Sequence, residues 1–311
     1  MTSKSSTPKK HHFVPQFMLK NFADEKRQLV VNPVNRPSSY VSNVRDLGHR
    51  NFGHSLFMPG RQPDHSTLEE LMADLEGHTA QVIEELCRAS SSDVDSEAKE
   101  VLGFFIALQW MRHRFVLELM RSTVLGQRSI DADDPAYEYA TKSLGLFNVL
   151  AGVLDPWALR DDPRADYKDR WSPIPSRLST WSWRLFRPNR DALVISDNVV
   201  CLSGLAAGEQ SPMPPAWTLH GVGIGFGNCR RVTVPLSPRL GLIVARDAKD
   251  LRNVKSSGFN RWTIYNSREF VAYMPSWPTS EPKLYHDFVE DLETQRFVIP
   301  MFLGGAVVGG S

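Results

Sequence analysis

Cysteine is scarce in this chain. Its 311 residues include three cysteines, Cys87, Cys201 and Cys229, and no two of them form a C-x-x-C pair. This spacing excludes a disulfide framework and a zinc knuckle built on cysteine. The polar, basic segment 1–10 is not followed by an apolar stretch of the signal-peptide type. We therefore expect a reducing, cytoplasmic setting.

The chain also lacks an excess of charge and a long apolar run. It has 36 Lys plus Arg against 35 Asp plus Glu, which is a formal net charge of +1. This balance excludes the broad basic surface of a protein that coats nucleic acid, although it allows a local basic patch. A membrane span needs about 18 or more apolar residues in a row. We therefore expect no membrane partner.

Apolar residues recur at helical spacing through the first half of the chain. The pattern predicts helices over residues 16–22, 67–88, 97–121 and 135–154. Ser66 and Glu69 have the form of a capping box at the start of the second of these helices. Two further helical candidates, 258–269 and 283–294, lie in the second half.

Strand signals dominate the second half. Short segments rich in Val, Ile and Leu, bounded by Gly, Pro, Asp or Asn, predict strands over residues 192–196, 199–203, 230–236, 240–246 and 270–274. An earlier strand is predicted over residues 28–32.

These elements predict an α+β fold in which about three long helices pack on a small, mostly antiparallel sheet. We expect a flexible arm over residues 1–10, a single α+β domain over residues 11–303 and a frayed tail over residues 304–311. The helical half of that domain spans about residues 66–154, and the strand-rich half spans about residues 190–275.

Two adjacent histidines, His11 and His12, begin the ordered part of the chain and are followed by Pro15. An imidazole at this position can act as a base or a metal ligand near neutral pH. The string resembles the His-His-x-x-Pro motif of ββα-metal nucleases, but the helix predicted after Pro15 replaces the second strand of their hairpin. The alternative is that His12 bonds to the backbone and holds the N-terminal segment on the core.

Gln109 and Arg112 lie three residues apart on the apolar face of a predicted helix. A buried guanidinium needs a partner, because an unpaired interior charge costs several kcal/mol. That partner is either an acid of the protein, such as Asp197, or the phosphate or carboxylate of a ligand.

Asp197 and Asn260 are the remaining polar candidates. Asp197 follows the predicted strand 192–196, where a carboxylate can bind metal or accept a proton, but Asp is also a common turn residue. Asn260 opens a helical segment, so its amide either caps that helix or takes part in a functional site.

Several of these strings together resemble the bacterial family called domain of unknown function 4238. They are residues 11–22, Gln109 with Arg112, residues 195–199, residues 235–238, and Asn260 with Phe270-Val271. The resemblance implies a shared polar site formed by His12, Gln109, Arg112, Asp197 and Asn260. Two positions depart from the family pattern: Phe13 replaces its tyrosine, and Val199 replaces its proline.

Our leading hypothesis is a soluble enzyme, a metal-dependent hydrolase or nuclease-like phosphoesterase. His12 would be the general base or metal ligand, and Asp197 would be its metal-binding or orienting carboxylate. Gln109, Arg112 and Asn260 would bind the anionic group of a small ligand or nucleic acid, and a divalent metal is the candidate cofactor. Such an activity would suit a toxin or phage-defence effector.

The alternative is a non-catalytic binding or interaction module in which the same polar residues form a buried structural network.

Overall fold

The structure is a computed structural model that describes residues 10–34, 36, 38–55, 62–113, 173–189, 192–204, 226 and 229–276. Several sequence predictions lie outside these residues. They are the arm up to residue 9, the end of the helix 97–121, the helices 135–154 and 283–294, and the C-terminal tail.

Ten strands occur in the described residues, and all of their pairings are antiparallel. They are β1 (Lys10–His12), β2 (Gln28–Pro33), β3 (Tyr40–Asn43), β4 (His49–Asn51), β5 (Ser182–Phe186), β6 (Ile195–Ser196), β7 (Cys201–Ser203), β8 (Arg231–Ser237), β9 (Leu240–Ala245) and β10 (Phe270–Tyr273). β1 and β4 form a two-stranded ribbon. The other strands form two four-stranded sheets, ordered β3-β2-β10-β6 and β5-β9-β8-β7.

Five α-helices occur in the same residues. They are α1 (Gln16–Asn21), α2 (Thr67–Arg88), α3 (Ser96–Met111), α4 (Pro173–Ser179) and α5 (Ser256–Asn266). Short 3₁₀ helices cover Val44–Asp46 and Ala248–Leu251. Within the described ranges, no helix is both long and apolar enough to cross a membrane.

The predicted mixture of helices with antiparallel strands is confirmed, but the strands divide among three sheets instead of forming one. The predicted strand 192–196 is one example of this difference. Only its last two residues form a strand, β6. The N–H of Leu193 bonds to the carbonyl of Pro238, and the N–H of Val194 bonds to the side chain of Asn260. These bonds replace ladder bonds, so the segment joins the sheet of β10 only at its end.

The main core lies where α1, α3 and α5 meet the sheets. β8 and β9 are buried along almost their whole length, which is typical of strands covered on both faces. Phe105 of α3 and Phe259 of α5 are fully buried in this apolar cluster. A second cluster joins α2 to α3 through residues that include Met72 and Leu108. The two long helices are thereby held side by side.

The start of α2 differs from the predicted capping box. Ser66 makes no side-chain cap bond. Instead, Asp64 Oδ1 accepts hydrogen bonds of 3.0 Å from the N–H groups of Ser66 and Thr67. A hydrogen bond from the Thr67 side chain, together with these two backbone bonds, lowers the pKa of Asp64. Because Asp64 satisfies the helix terminus, Glu69 is left available for another partner.

Gly241 in β9 allows α5 to pack closely on the sheet. A Cβ atom at Gly241 would lie 2.6 Å from Cε2 of Phe259 and 3.0 Å from Cδ1 of Leu193. We expect Gly241→Ala to lower the free energy of unfolding by about 1–3 kcal/mol, the range for overpacking a core. Urea denaturation would measure this change.

The matched control is Gly258→Ala in α5, where a Cβ would meet no atom within 4 Å. The control should leave stability unchanged or raise it by up to about 1 kcal/mol, because alanine favours helix over glycine. Equal effects of the two substitutions would contradict the packing argument.

Candidate metal and anion site

The β1–β4 ribbon presents its two N-terminal histidines to different surroundings. In its register, His11 is opposite Arg50 and His12 is opposite His49. Because side chains alternate along a strand, His11 and His12 point to opposite faces. Beyond the ribbon, the carbonyl of Gly48 accepts hydrogen bonds from Phe13 and Val14. Gly48 has a φ of +65°, and a Cβ there would lie 2.8 Å from that of Val14, so the position favours glycine.

His11, His54 and Glu69 form a compact group on one face. His11 is 1% exposed, and its Nδ1 accepts a hydrogen bond of 3.1 Å from the backbone N–H of His54. The same Nδ1 lies 3.7 Å from Oε1 of Glu69, which also contacts Nδ1 of His54. One ligand atom from each residue lies within 4.8 Å of the other two. Among the described residues, this is the group of three that fits a metal ion.

The charge state of this group suits metal binding. Burial lowers the pKa of His54, although the hydrogen bond to Glu69 opposes that change. Burial alone would raise the pKa of Glu69. The hydrogen bond from His54 and the charges of His54, His11 and Arg112 outweigh burial and lower it. A neutral imidazole and an ionised carboxylate are the forms that bind metals.

Gln109 and Arg112 lie together at the end of α3, as the sequence indicated. Gln109 Nε2 donates a 2.8 Å hydrogen bond to the carbonyl of Phe13, and its Oε1 accepts one of 2.7 Å from Arg112 Nε. Arg112 Nη1 donates to Glu76 Oε1 at 2.6 Å. The protein acid that pairs with Arg112 is therefore Glu76 and not Asp197. Arg112 Nη2 is buried and has no hydrogen-bond partner among the residues that the structure describes.

Asp197 is buried in a different set of contacts. Its Oδ1 accepts hydrogen bonds from the backbone N–H groups of Arg268, at 2.9 Å, and Phe270, at 3.2 Å. Its Oδ2 lies 3.2 Å from Nε2 of His113, the residue after Arg112. These bonds hold the carboxylate and the imidazole of His113 in one orientation. Arg268 and Phe270 belong to the segment that enters β10, so these contacts join two distant parts of the chain and are not the local backbone bonds that the turn interpretation of Asp197 predicts.

His12 lies on the other face of the ribbon, away from the group of His11. Its ring centroid is 5.4 Å from that of His49, and its Nδ1 lies 3.4 Å from the amide nitrogen of Gln16. Burial, together with the neighbouring His49, lowers the pKa of His12 to about 4, although a hydrogen bond with the backbone of Arg45 opposes this change. His12 Nε2 is buried, and the described residues offer it no hydrogen-bond partner of good geometry.

Asn260 uses its amide to hold the backbone of another segment. Its Oδ1 accepts from the N–H of Val194 at 3.2 Å, and its Nδ2 donates to the carbonyl of Ala192 at 2.8 Å. The residue lies inside α5, and the N-cap position of that helix is Lys255. Asn260 therefore joins α5 to the segment before β6 and does not cap its own helix.

Three of the residues near this site were not among the sequence candidates. They are His54, Glu69 and Glu76. A usable signal was the spacing on α2, where Glu69, Met72 and Glu76 lie on one helix face at intervals of three and four residues. No local pattern marked His54, because it lies in an irregular loop that only the fold brings to Glu69.

The lowered pKa of His12 makes stability depend on pH. The unfolded chain, with a histidine pKa of about 6.5, binds a proton at higher pH than the folded chain does. The free energy of unfolding should therefore fall as the pH decreases from about 6.5 towards about 4, and it should be greatest above this window. We expect His12→Gln to reduce this slope in urea denaturation with a chelator present. The control is the same substitution at His78, an exposed residue of α2. An unchanged slope in His12→Gln would contradict the assignment of this pH dependence to His12.

Comparison with known proteins gives one match. The family described as Protein of unknown function (DUF4238) matches residues 10–276, a range that begins at β1 and ends just after β10. No curated protein and no solved structure matches the chain. The match contains the ribbon, α2, α3 and every residue of the site described above. The resemblance seen in the sequence is thus confirmed, and the chain belongs to the DUF4238 family of proteins of unknown function.

Proposed function

We propose that this protein is a metal-dependent hydrolase that acts on phosphoesters. A divalent ion is held by His11, His54 and Glu69, and the anionic group of the substrate is held by Arg112. The observation that carries this proposal is the meeting of two imidazoles and a carboxylate within 4.8 Å. The side chain of Glu69 is 27% exposed, so solvent reaches this edge of the group.

The donor set is that of a catalytic metal site. Two histidines and one glutamate leave an open coordination position for water, as in metallopeptidases that use the same three ligand types. Ligand atoms around a tetrahedral zinc ion lie about 3.3 Å apart. Small side-chain shifts would bring the atoms here to that spacing, and the ion would replace the present contact between His54 and Glu69.

Arg112 supplies the reason to choose an anionic substrate. Its charge acts on both His54 and Glu69, so the guanidinium lies within electrostatic range of the metal ligands. Glu76 and Gln109 orient it through two hydrogen bonds, while Nη2 has no partner within the described ranges. A flat guanidinium with a free donor matches a phosphate oxygen well.

The chemistry follows from this arrangement. His11, His54 and Glu69 would hold the divalent ion, which would supply Lewis-acid activation of water. In phosphoester hydrolysis the oxygen of water replaces the leaving oxygen on phosphorus, and a proton of that water passes to the leaving oxygen. Arg112 stabilises the negative charge that grows on the phosphoryl oxygens.

The first test of this function uses Glu69→Gln, which keeps the shape of the side chain and removes its charge. We expect the full chain with Mn²⁺ or Zn²⁺ to hydrolyse bis-p-nitrophenyl phosphate or p-nitrophenyl phosphate. Glu69→Gln should lower the rate by about 100-fold or more, as expected when a metal ligand is lost. The release of p-nitrophenol measures the rate.

The matched control is Glu84→Gln, an exposed residue of the same helix that pairs with Arg88. It should retain the rate of the unsubstituted protein. Equal activity of Glu69→Gln and the control, or full activity in excess chelator, would remove the metal-hydrolase proposal.

A second candidate function is a non-catalytic binding module with a structural polar network. It is favoured by the hydrogen bonds that Arg112 and Asp197 already make inside the protein. In this case the residues contribute folding free energy and no chemistry.

Arg112→Met separates the two functions. In a hydrolase we expect a loss of activity of about 100-fold, with the free energy of unfolding lowered by about 1–2 kcal/mol. The loss of stability is small because the side chain of Glu76 is 22% exposed and water can hydrate it. A structural network predicts the same loss of stability, because the ion pair is the same, but no phosphoester hydrolysis in either protein. Chemical denaturation and phosphoester hydrolysis, measured on the same preparation, distinguish these outcomes.

A further inference from the structure

The second face of the β1–β4 ribbon carries another histidine pair. His12 and His49 are direct cross-strand partners, and their ring centroids are 5.4 Å apart with an angle of 64° between the ring planes. His12 Nε2 and His49 Nδ1 are both buried, and among the described residues neither has a hydrogen-bond partner of good geometry, although the backbone of Arg45 lies close enough to the His12 ring to affect its pKa. Folded proteins normally pair such atoms. Two such nitrogens on neighbouring rings therefore point to a ligand that binds both.

We propose that His12 and His49 form a second metal site, specific for a transition-metal ion, on the face of the ribbon opposite the His11 group. The site is independent of the proposed hydrolase function because it uses neither Glu69 nor Arg112. It also gives His12 a ligand role, with His49 as its partner in place of Asp197.

The ring spacing fits this proposal. A nitrogen atom lies about 1.1 Å from the centroid of an imidazole ring, and a metal–nitrogen bond is about 2.0–2.1 Å long. Two imidazoles on one tetrahedral ion therefore place their ring centroids about 5.2 Å apart. The observed 5.4 Å is close to this value, so the spacing of the two rings is compatible with one ion between them.

The surroundings favour a particular class of ion. Imidazole nitrogen suits Zn²⁺, Cu²⁺ and Ni²⁺, whereas Mg²⁺ and Ca²⁺ prefer oxygen ligands. Gln16 lies at Nδ1 of His12, and its amide would have to turn its oxygen to that atom, so that Nδ1 donates to Gln16 and Nε2 is free to bind the ion. Lys10 is the nearby cation that opposes binding, and Asp46 pairs with it at 2.7 Å and also lies near His49. Water molecules would complete the coordination shell.

An ion at this position would join β1 to β4 through side chains as well as through the ladder. The ribbon has only three residue pairs, so its backbone bonds alone hold it weakly. Binding to the folded chain raises its stability. The same ribbon positions His11, so the second ion would also steady the first metal group.

The test is a titration of the purified, metal-stripped full chain with Cu²⁺, followed by isothermal calorimetry and electron paramagnetic resonance. We expect two equivalents to bind to the unsubstituted protein. His49→Asn should lose one equivalent, with the affinity of that site reduced at least tenfold, together with its nitrogen hyperfine signal. Circular dichroism and Tm of the metal-free variant establish that it folds, and His12→Gln provides a second variant with the same expected loss.

The matched control is His78→Asn, which removes an exposed histidine of α2 and should leave both equivalents in place. Unchanged binding in folded His49→Asn and His12→Gln would overturn the second site. Glu69→Gln reports separately on the first site. If Glu69→Gln retains both equivalents while His49→Asn and His12→Gln each lose one, the first metal site, and with it the hydrolase proposal, is contradicted. The site at His12 and His49 is then still supported.

Discussion

The pairing of β1 with β4 is the constraint on which the arrangement of the site depends. Three residue pairs set the register, and the alternation of side chains then sends His11 and His12 to opposite faces. A shift of one residue would exchange the two histidines. The hydrogen bond from Gln109 to the carbonyl of Phe13 ties the end of this ribbon to α3. The ribbon, α2 and α3 therefore form one unit around Glu69 and Arg112.

Most buried ionisable groups near this unit have partners of opposite charge or backbone donors. Arg112 faces Glu76, Glu69 faces His54, and Asp197 faces two N–H groups. This pattern is expected because burying an unpaired charge costs several kcal/mol. The exceptions are therefore informative. In the described part of the chain, the atoms left without a partner include Arg112 Nη2, His12 Nε2 and His49 Nδ1, and they lie where the proposed substrate and second ion would bind.

The helices could be predicted from the sequence wherever their apolar spacing was regular. The predicted bounds of α2 agree with the observed Thr67–Arg88. The prediction succeeds because the spacing of apolar residues along a helix depends only on residues within the segment itself. The capping box was predicted from equally local information and was wrong. Asp64 caps the helix and Glu69 turns to His54, a choice that depends on a loop packed against the helix. Local patterns cannot identify which of two equivalent acceptors the fold uses.

The sequence by itself determined the element types, the family and the closeness of Gln109 to Arg112, because these depend on neighbours within a few residues. Tertiary structure alone decided that Arg112 pairs with Glu76 and that His11, His54 and Glu69 share one position. It also decided that Asn260 bonds to the segment before β6. These contacts join residues far apart in the chain, and their geometry follows from strand register and helix packing. Both are set by burial of the whole apolar core.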